Sequence, residues 1–374
     1  MNRILHLLCF VGLLVLSAAD QIPKTDDCEC VPYYQCTNGS IIEDGASLID
    51  VRRRVVGCEN YLDVCCKTPS IKHEPQDEGR EEEANDFEDS VYDCIGPCGV
   101  HRPKGVAFRI QGATDGEAQF GEFPWMAALL QKTEGAPKKG LRRYLCGASL
   151  IHPRVVLTGA HCVHGHNISS LVVRAGEWDS QTKKEIYPHQ DREVAKVIIH
   201  PYFQKKNLFN DAALVILSAP FKPAKHIGFI CLPQQGEVPQ PATHCIASGW
   251  GRENFVKEGG YSAILKRVDL PVVERSNCQR NLRTTRLGAY FKLHQSFICA
   301  GGEEGKDTCK GDGGSPLVCP HPDEPERYVQ SGIVAWGIGC MSKSPGVYVN
   351  VALFRDWIDE QMHENDLDTT FYSL

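Results

Sequence analysis

The sequence predicts an all-β protein preceded by a small disulfide-rich module, and three observations carry that prediction. From residue 123 onward, short runs of β-branched and aromatic residues alternate with turn residues. A single apolar stripe at helical spacing closes the chain. Eighteen cysteines in 374 residues place the chain in an oxidising compartment, because a reducing cytosol does not sustain that count unless metals explain it, and these spacings are not those of zinc sites. A composition 42% hydrophobic and 23% charged excludes a wholly disordered, collagen-like or coiled-coil chain.

The N-terminus agrees with the compartment. Arg3 is followed by an apolar run over residues 4–16 and then by Ser17, Ala18 and Ala19, the order of a secretory signal. Residues 1–19 are read as that signal, so the mature chain begins near Asp20 and Cys9 is discarded. A buried core helix is the alternative, and the terminal position and small-residue exit argue against it. The run is too short for a hydrocarbon core ~30 Å thick, and no later run reaches transmembrane length, so no membrane span is expected.

The formal charge of −7 sits in one place: residues 67–93 hold ten acids against three bases, and the remainder balances. So acidic and apolar-poor a stretch cannot offset its ordering entropy by burial, which predicts an extended, solvated linker. Nucleic-acid binding has no support. The chain thus divides into a small module at 20–67, an acidic linker and junction at 68–109, and a large module at 110–374.

In the small module Cys28, Cys30, Cys36, Cys58, Cys65 and Cys66 crowd a segment too short to build a core, where disulfides take its place. Spacing alone does not choose among the pairings, and a metal site is the alternative, disfavoured by the adjacent Cys65-Cys66 in a secreted chain. The arrangement resembles the clip domain of arthropod proteases, a docking module. The resemblance implies Cys28–Cys65, Cys30–Cys58 and Cys36–Cys66.

In the large module, strands are expected at 125–130, 155–158, 171–174, 194–199, 212–217, 245–248, 268–273, 333–336 and 347–351, each rich in residues that suit a pleated, half-buried surface. After Asn350, the spacing of Leu353, Phe354, Trp357, Ile358 and Met362 predicts one terminal amphipathic helix packed on the core.

Three local sequences carry the chemistry. Leu157-Thr158-Gly159-Ala160-His161-Cys162 sets a histidine beside an anchoring cysteine, and Asn210-Asp211-Ala212-Ala213-Leu214 sets a lone carboxylate ahead of an apolar strand. Either residue alone reads as structural. The third is Asp307-Thr308-Cys309-Lys310-Gly311-Asp312-Gly313-Gly314-Ser315-Pro316, followed later by Ala335-Trp336-Gly337. In this order the three resemble trypsin-type serine proteases over roughly residues 110–363. The fold so implied is a trypsin-like double β-barrel, two six-stranded antiparallel barrels with a C-terminal helix. The resemblance also implies the bridges Cys98–Cys231, Cys146–Cys162, Cys245–Cys319, Cys278–Cys299 and Cys309–Cys340, with Cys94 left over and either free or bridged to another molecule.

Acyl transfer on this plan needs a hydroxyl nucleophile, a histidine base, an orienting aspartate and backbone N–H groups at the oxyanion. His161 and Asp211 match base and orienter; Gly311 and Gly313 match the oxyanion donors. The family's Gly-Asp-Ser-Gly-Gly-Pro appears as Gly311-Asp312-Gly313-Gly314-Ser315-Pro316, so the nucleophile position is Gly313 and the chain is expected to be a pseudoprotease. Ser315 as a relocated nucleophile is the rival reading, and Ala335 stands where the family usually has a supporting serine. Asp307, with Gly337 and Gly346, matches an Arg/Lys pocket or persists as a satisfied polar remnant. Ile110 matches the new N-terminus that pairs with Asp312 after activation cleavage at Arg109.

The closest resemblance is to clip-domain serine protease homologues, which implies a non-catalytic cofactor of prophenoloxidase activation in haemolymph. The implied partners are prophenoloxidase, its activating clip-domain protease and an upstream trypsin-like protease; the resemblance leaves room for a homo-oligomer and implies no cofactor and no metal. A negative regulator or a microbial-surface binding protein is the remaining alternative. Arg80, in the acidic linker, is preferred over Arg109 as the processing site, with the run Arg52-Arg53-Arg54 an outsider. Asn38 and Asn167 head N-glycosylation triplets.

Overall fold

The computed structural model describes residues 29–32, 36–37, 40–41, 63–66, 96–106, 116–133, 142–181, 185, 187–251, 262–303, 312–338 and 343–374, the first four of these segments as backbone alone. In the cysteine-rich module β1 (Glu29–Pro32) pairs antiparallel with β4 (Asp63–Cys66), setting Cys30 opposite Cys65, and β2 (Cys36–Thr37) pairs with β3 (Ser40–Ile41). The three bridges expected in this module involve side chains outside the described residues.

The large module builds two closed barrels. The first runs in order β10 (Ala213–Leu217), β7 (Val155–Thr158), β6 (Arg142–His152), β5 (Met126–Lys132), β8 (Leu171–Ala175) and β9 (Gln190–Ile199). The second runs β11 (His244–Gly249), β12 (Lys266–Val273), β13 (Phe297–Ala300), β16 (Gly346–Asn350), β15 (Tyr328–Trp336) and β14 (Pro316–Pro320). Each barrel has six strands and every pairing is antiparallel, as the trypsin-like plan requires. Each strand expectation overlaps one of these elements, with Trp125, Ala212 and Val351 falling one residue outside, whereas β6, β13 and β14 had no expected run.

Helices are few. α1 (Ala160–Val163) follows β7, and α3 (Arg355–Glu364) is the expected terminal helix, burying Ile358 and Met362 while the Arg355 guanidinium donates to the Pro233 carbonyl at 3.1 Å. Each such buried apolar side chain contributes about 1.5–3 kcal/mol. The expectation of a single helix is corrected by α2 (Arg275–Arg283), whose first turn is capped by the Glu274 carboxylate, accepting from the Ser276 and Asn277 N–H groups. One apolar cluster crosses both barrels, joining Trp125, Ile151 and Leu214 to Ile246, Val318, Ile333 and Val349.

Disulfides join Cys98–Cys231, Cys146–Cys162, Cys245–Cys319 and Cys278–Cys299. The first ties the segment at 96–106 to the body, where the Gly99 N–H also donates to the Phe229 carbonyl at 2.8 Å. Cys94, Cys309 and Cys340 lie outside the described residues. Among the described residues no helix is long and apolar enough to cross a membrane.

Candidate functional site

Strand register brings His161 and Asp211 together. β7 and β10 are neighbours with Thr158 opposite Ala213, so the residues just after β7 and just before β10 emerge side by side. Asp211 is wholly buried; Oδ1 accepts from the His161 backbone N–H at 2.7 Å and Oδ2 from His161 Nδ1 at 2.6 Å. The aspartate thereby holds both the main chain and the ring of the histidine, the tautomer-fixing contact of a triad. Cys162, bridged to Cys146 on β6, anchors the same turn.

The second barrel brings Gly313 up to the histidine. The backbone ahead of β14 is pinned by hydrogen bonds: the Gly147 N–H donates to the Gly313 carbonyl at 3.0 Å, and the Gly314 N–H to the Val334 carbonyl at 3.0 Å. A β-carbon on Gly313 would stand 2.8 Å from His161 Nε2, closer than such atoms approach. A β-carbon on Gly159 would stand 2.7 Å from Nδ1. The imidazole therefore fits against two residues that lack side chains, Gly159 at Nδ1 and Gly313 at Nε2. Sequence reasoning passed over Gly159; the adjacent pair Gly159-Ala160 carried no signal without the ring's position.

Ser315 is fully buried, and its hydroxyl is directed at Gly147 and Gly249 with no hydrogen-bond partner among the described residues. A nucleophile must stand within hydrogen-bond reach of the histidine, and this orientation turns Ser315 away from that role. Ala335 is half-buried beside Trp336 in the apolar clusters. Asp312 Oδ1 accepts from the Gly251 N–H at 2.9 Å, and its carboxylate lies against Gly249 and Gly251 where β-carbons would intrude. Gly346 is buried on β16, its missing β-carbon leaving 3.0 Å to the Tyr348 hydroxyl, whereas Gly337 is exposed. Asp307, Gly311, Ile110, Arg109, Arg80 and Asn38 lie outside the described residues.

Among the described residues, two groups bring metal-type ligands together. Cys146, His161 and Cys162 form one, but both cysteines are spent in a disulfide. Glu177, Glu185 and His189 form the other, with ligand atoms within 4.8 Å of one another and protein donors already on them. Glu177 accepts from Arg174 at 2.9 Å and pairs with His189 at 3.1 Å, while Glu185 Oε1 accepts from the Trp178 and Asp179 N–H groups at 2.9 and 2.8 Å. Burial, with the Glu177 charge beside it, pushes Glu185 up to about 9.

Comparison with known proteins follows the same two-part division. The family described as Trypsin matches residues 114–358, and the family described as Serine protease Clip domain PPAF-2 matches residues 17–67. The chain is 55% identical over 284 residues to Phenoloxidase-activating factor 2 of Galleria mellonella, covering 74% of this chain and 92% of that protein. It is 38% identical over 347 residues to Inactive CLIP domain-containing serine protease A8 of Anopheles gambiae, covering 91% of this chain and 90% of the relative. Inactive CLIP domain-containing serine protease A28 of the same mosquito is 37% identical over 360 residues, again covering 91% and 90%. With both families matched in one chain, and its two closed barrels and histidine–aspartate pair in place, the chain belongs to the clip-domain serine protease homologues.

Proposed function

We propose that this chain is a secreted, non-catalytic adaptor in a protease cascade, and that it acts on prophenoloxidase activation. The observation that carries the reading is Gly313 beside His161: the residue that matches the nucleophile position offers no oxygen, and His161 Nε2 lies 2.8 Å from where its β-carbon would stand. Loss of the nucleophile alone costs such a triad about 10⁶ in rate, or roughly 8 kcal/mol. The Anopheles relatives bear the word inactive in their names, and the Galleria relative is named for phenoloxidase activation, which supports the pathway. The partners on this reading are prophenoloxidase, its activating clip-domain protease and an upstream trypsin-like protease that cuts at Arg80.

Covalent labelling with a fluorophosphonate probe and hydrolysis of Arg amides test the first half; no labelling and no turnover are expected, and stoichiometric labelling would overturn it. Adding the processed protein to a reconstituted phenoloxidase assay tests the second. Enhanced phenoloxidase activity is expected, and inhibition would favour a negative regulator.

A further inference from the structure

Two segments free of acids flank the His161–Asp211 pair. Residues 196–210, which lead directly into Asp211, hold Lys196, Lys205 and Lys206, and residues 275–302 hold Arg275, Arg280, Arg283, Arg286 and Lys292. The fold packs the two together. Phe209 stacks on His294 with ring centroids 4.0 Å apart, the Asn210 N–H donates to Ser296 Oγ at 3.2 Å, and Leu208, Phe209, Leu287 and Phe291 share one apolar cluster with Trp336. Acids reach this neighbourhood at Glu274, the cap of α2, and on α3, where Trp357 and the preceding Phe354 pack on His200.

Some of these cations serve the fold. Arg275 donates to the Phe297 and Leu293 carbonyls and Arg283 Nε to the Phe291 carbonyl, while Arg280 donates to Asn277 Oδ1. Lys205, Lys206, Arg286 and Lys292 are exposed and make no ion pair among the described residues. His294 is held low by burial and then by the Arg275 charge, so at neutral pH the rim's charge comes from lysine and arginine. Two tyrosines stand out beside them, Tyr290 at 96% exposure and Tyr202 at 73%.

The presentation is rigid. Leu208 and Asn210 hold φ of 57° and 54°, a left-handed conformation that costs a non-glycine residue about 1–3 kcal/mol and persists only where packing over-determines it. A backbone held in one frame loses little entropy on binding, so the ordering cost falls on the lysine and arginine side chains. The half-buried strip of Phe291 and Trp336 between the cations suits apolar side chains interspersed with acids.

We propose that this rim, on the loops at 202–209 and 284–293, is a docking surface for an acidic stretch of a partner polypeptide. The proposal rests on the non-catalytic reading and names the chemistry of the partner that the cleft region holds. Charge complementarity selects the acids, and the aromatic strip selects polypeptide over sulfated polysaccharide.

The test uses the full chain and a labelled synthetic peptide with the sequence of residues 74–93, which carries ten acids and one base. Fluorescence anisotropy is expected to show saturable binding at ~0.05 M salt that weakens at least about tenfold at ~0.5 M. The pairs Lys205→Glu with Lys206→Glu and Arg286→Glu with Lys292→Glu should each weaken it about tenfold, and Lys225→Glu, a control remote in sequence from both loops, should not. Thermal melts establish that each variant is folded. Absence of saturable binding, or binding indifferent to the rim variants, overturns the proposal; so does a heparin oligosaccharide that binds through these four residues when the peptide does not. Fluorophosphonate labelling of the same samples reads the non-catalytic assignment separately, since labelling would refute that assignment without altering the peptide titration.

Discussion

His161 Nε2 lies 2.8 Å from the point where a β-carbon on Gly313 would stand, so the ring crowds the space that a side chain at this position would need. A side chain at position 313 therefore requires the ring to move, and Asp211 holds that ring through Nδ1 at 2.6 Å. Gly313→Ser alone is expected to leave Arg-amide hydrolysis at background, with Ser315 and Ala335 also departing from the family. Trypsin-like turnover in the single variant would show that the ring's seat is no obstacle.

Gly314 stands at φ +79°, and a β-carbon there would run into Thr158 Oγ1, the Gly147 carbonyl oxygen and, at 2.9 Å, Cys162 Sγ. Gly314→Ala combines a strained backbone with contacts to main chain that cannot yield. A loss of about 2 kcal/mol or more is expected from urea unfolding, and an unchanged midpoint would refute it.

Glu185 gives a pH dependence whose sign follows from its raised value. In the folded state it keeps its proton to about 9, whereas the unfolded chain releases it near 4.5. Stability from this group is therefore full below about 4.5 and is lost as pH rises toward about 9. Glu185→Gln keeps an acceptor for the Trp178 and Asp179 N–H groups and removes the titration. Its Tm should exceed that of the unsubstituted chain by several degrees at pH 8.5 and by little at pH 5, and equal differences at both would count against the assignment.

Asn167 is exposed, and its Oδ1 accepts from Ser169 N–H and Oγ at 3.1 and 3.0 Å, so amide and hydroxyl of the triplet already touch on open surface. Peptide mapping after glycosidase treatment is expected to find the glycan here. An unmodified peptide from insect-cell material would refute the site.

The Cys98–Cys231 bridge distinguishes the two processing sites by electrophoresis. Cleavage at Arg80 should release the clip fragment without reductant, since no expected bridge joins it to the rest; cleavage at Arg109 should release it on reduction alone. N-terminal sequencing of the large fragment should read Glu81, and Ile110 as the sole new terminus would overturn the preference for Arg80.

Where apolar spacing was strong, the sequence was read correctly: Val155–Thr158 emerges at its expected bounds, and α3 follows its stripe. α2 escaped because it buries only Cys278 and Leu282, two residues that give no visible period in a basic, polar run. β14 is bounded by Pro316 and Pro320, which punctuate rather than extend a strand pattern, and β6 begins with arginines and carries Gly147 and Ser149 at its centre. At the site, motif order brought out His161, Asp211 and Gly313, but that Gly159 also borders the ring depends on where the imidazole lies, and no local pattern announces that. The cationic rim was equally hidden, because its members are distant in sequence and meet through the stacking of Phe209 on His294.

Each of the two barrels closes on itself, with β9 returning to β10 and β14 returning to β11. A protease that grips its substrate as an added strand needs an exposed edge, and closure removes the edge. Cleavage within either barrel therefore first requires a strand to be pulled from its sheet, so part of the fold is lost before any bond is cut.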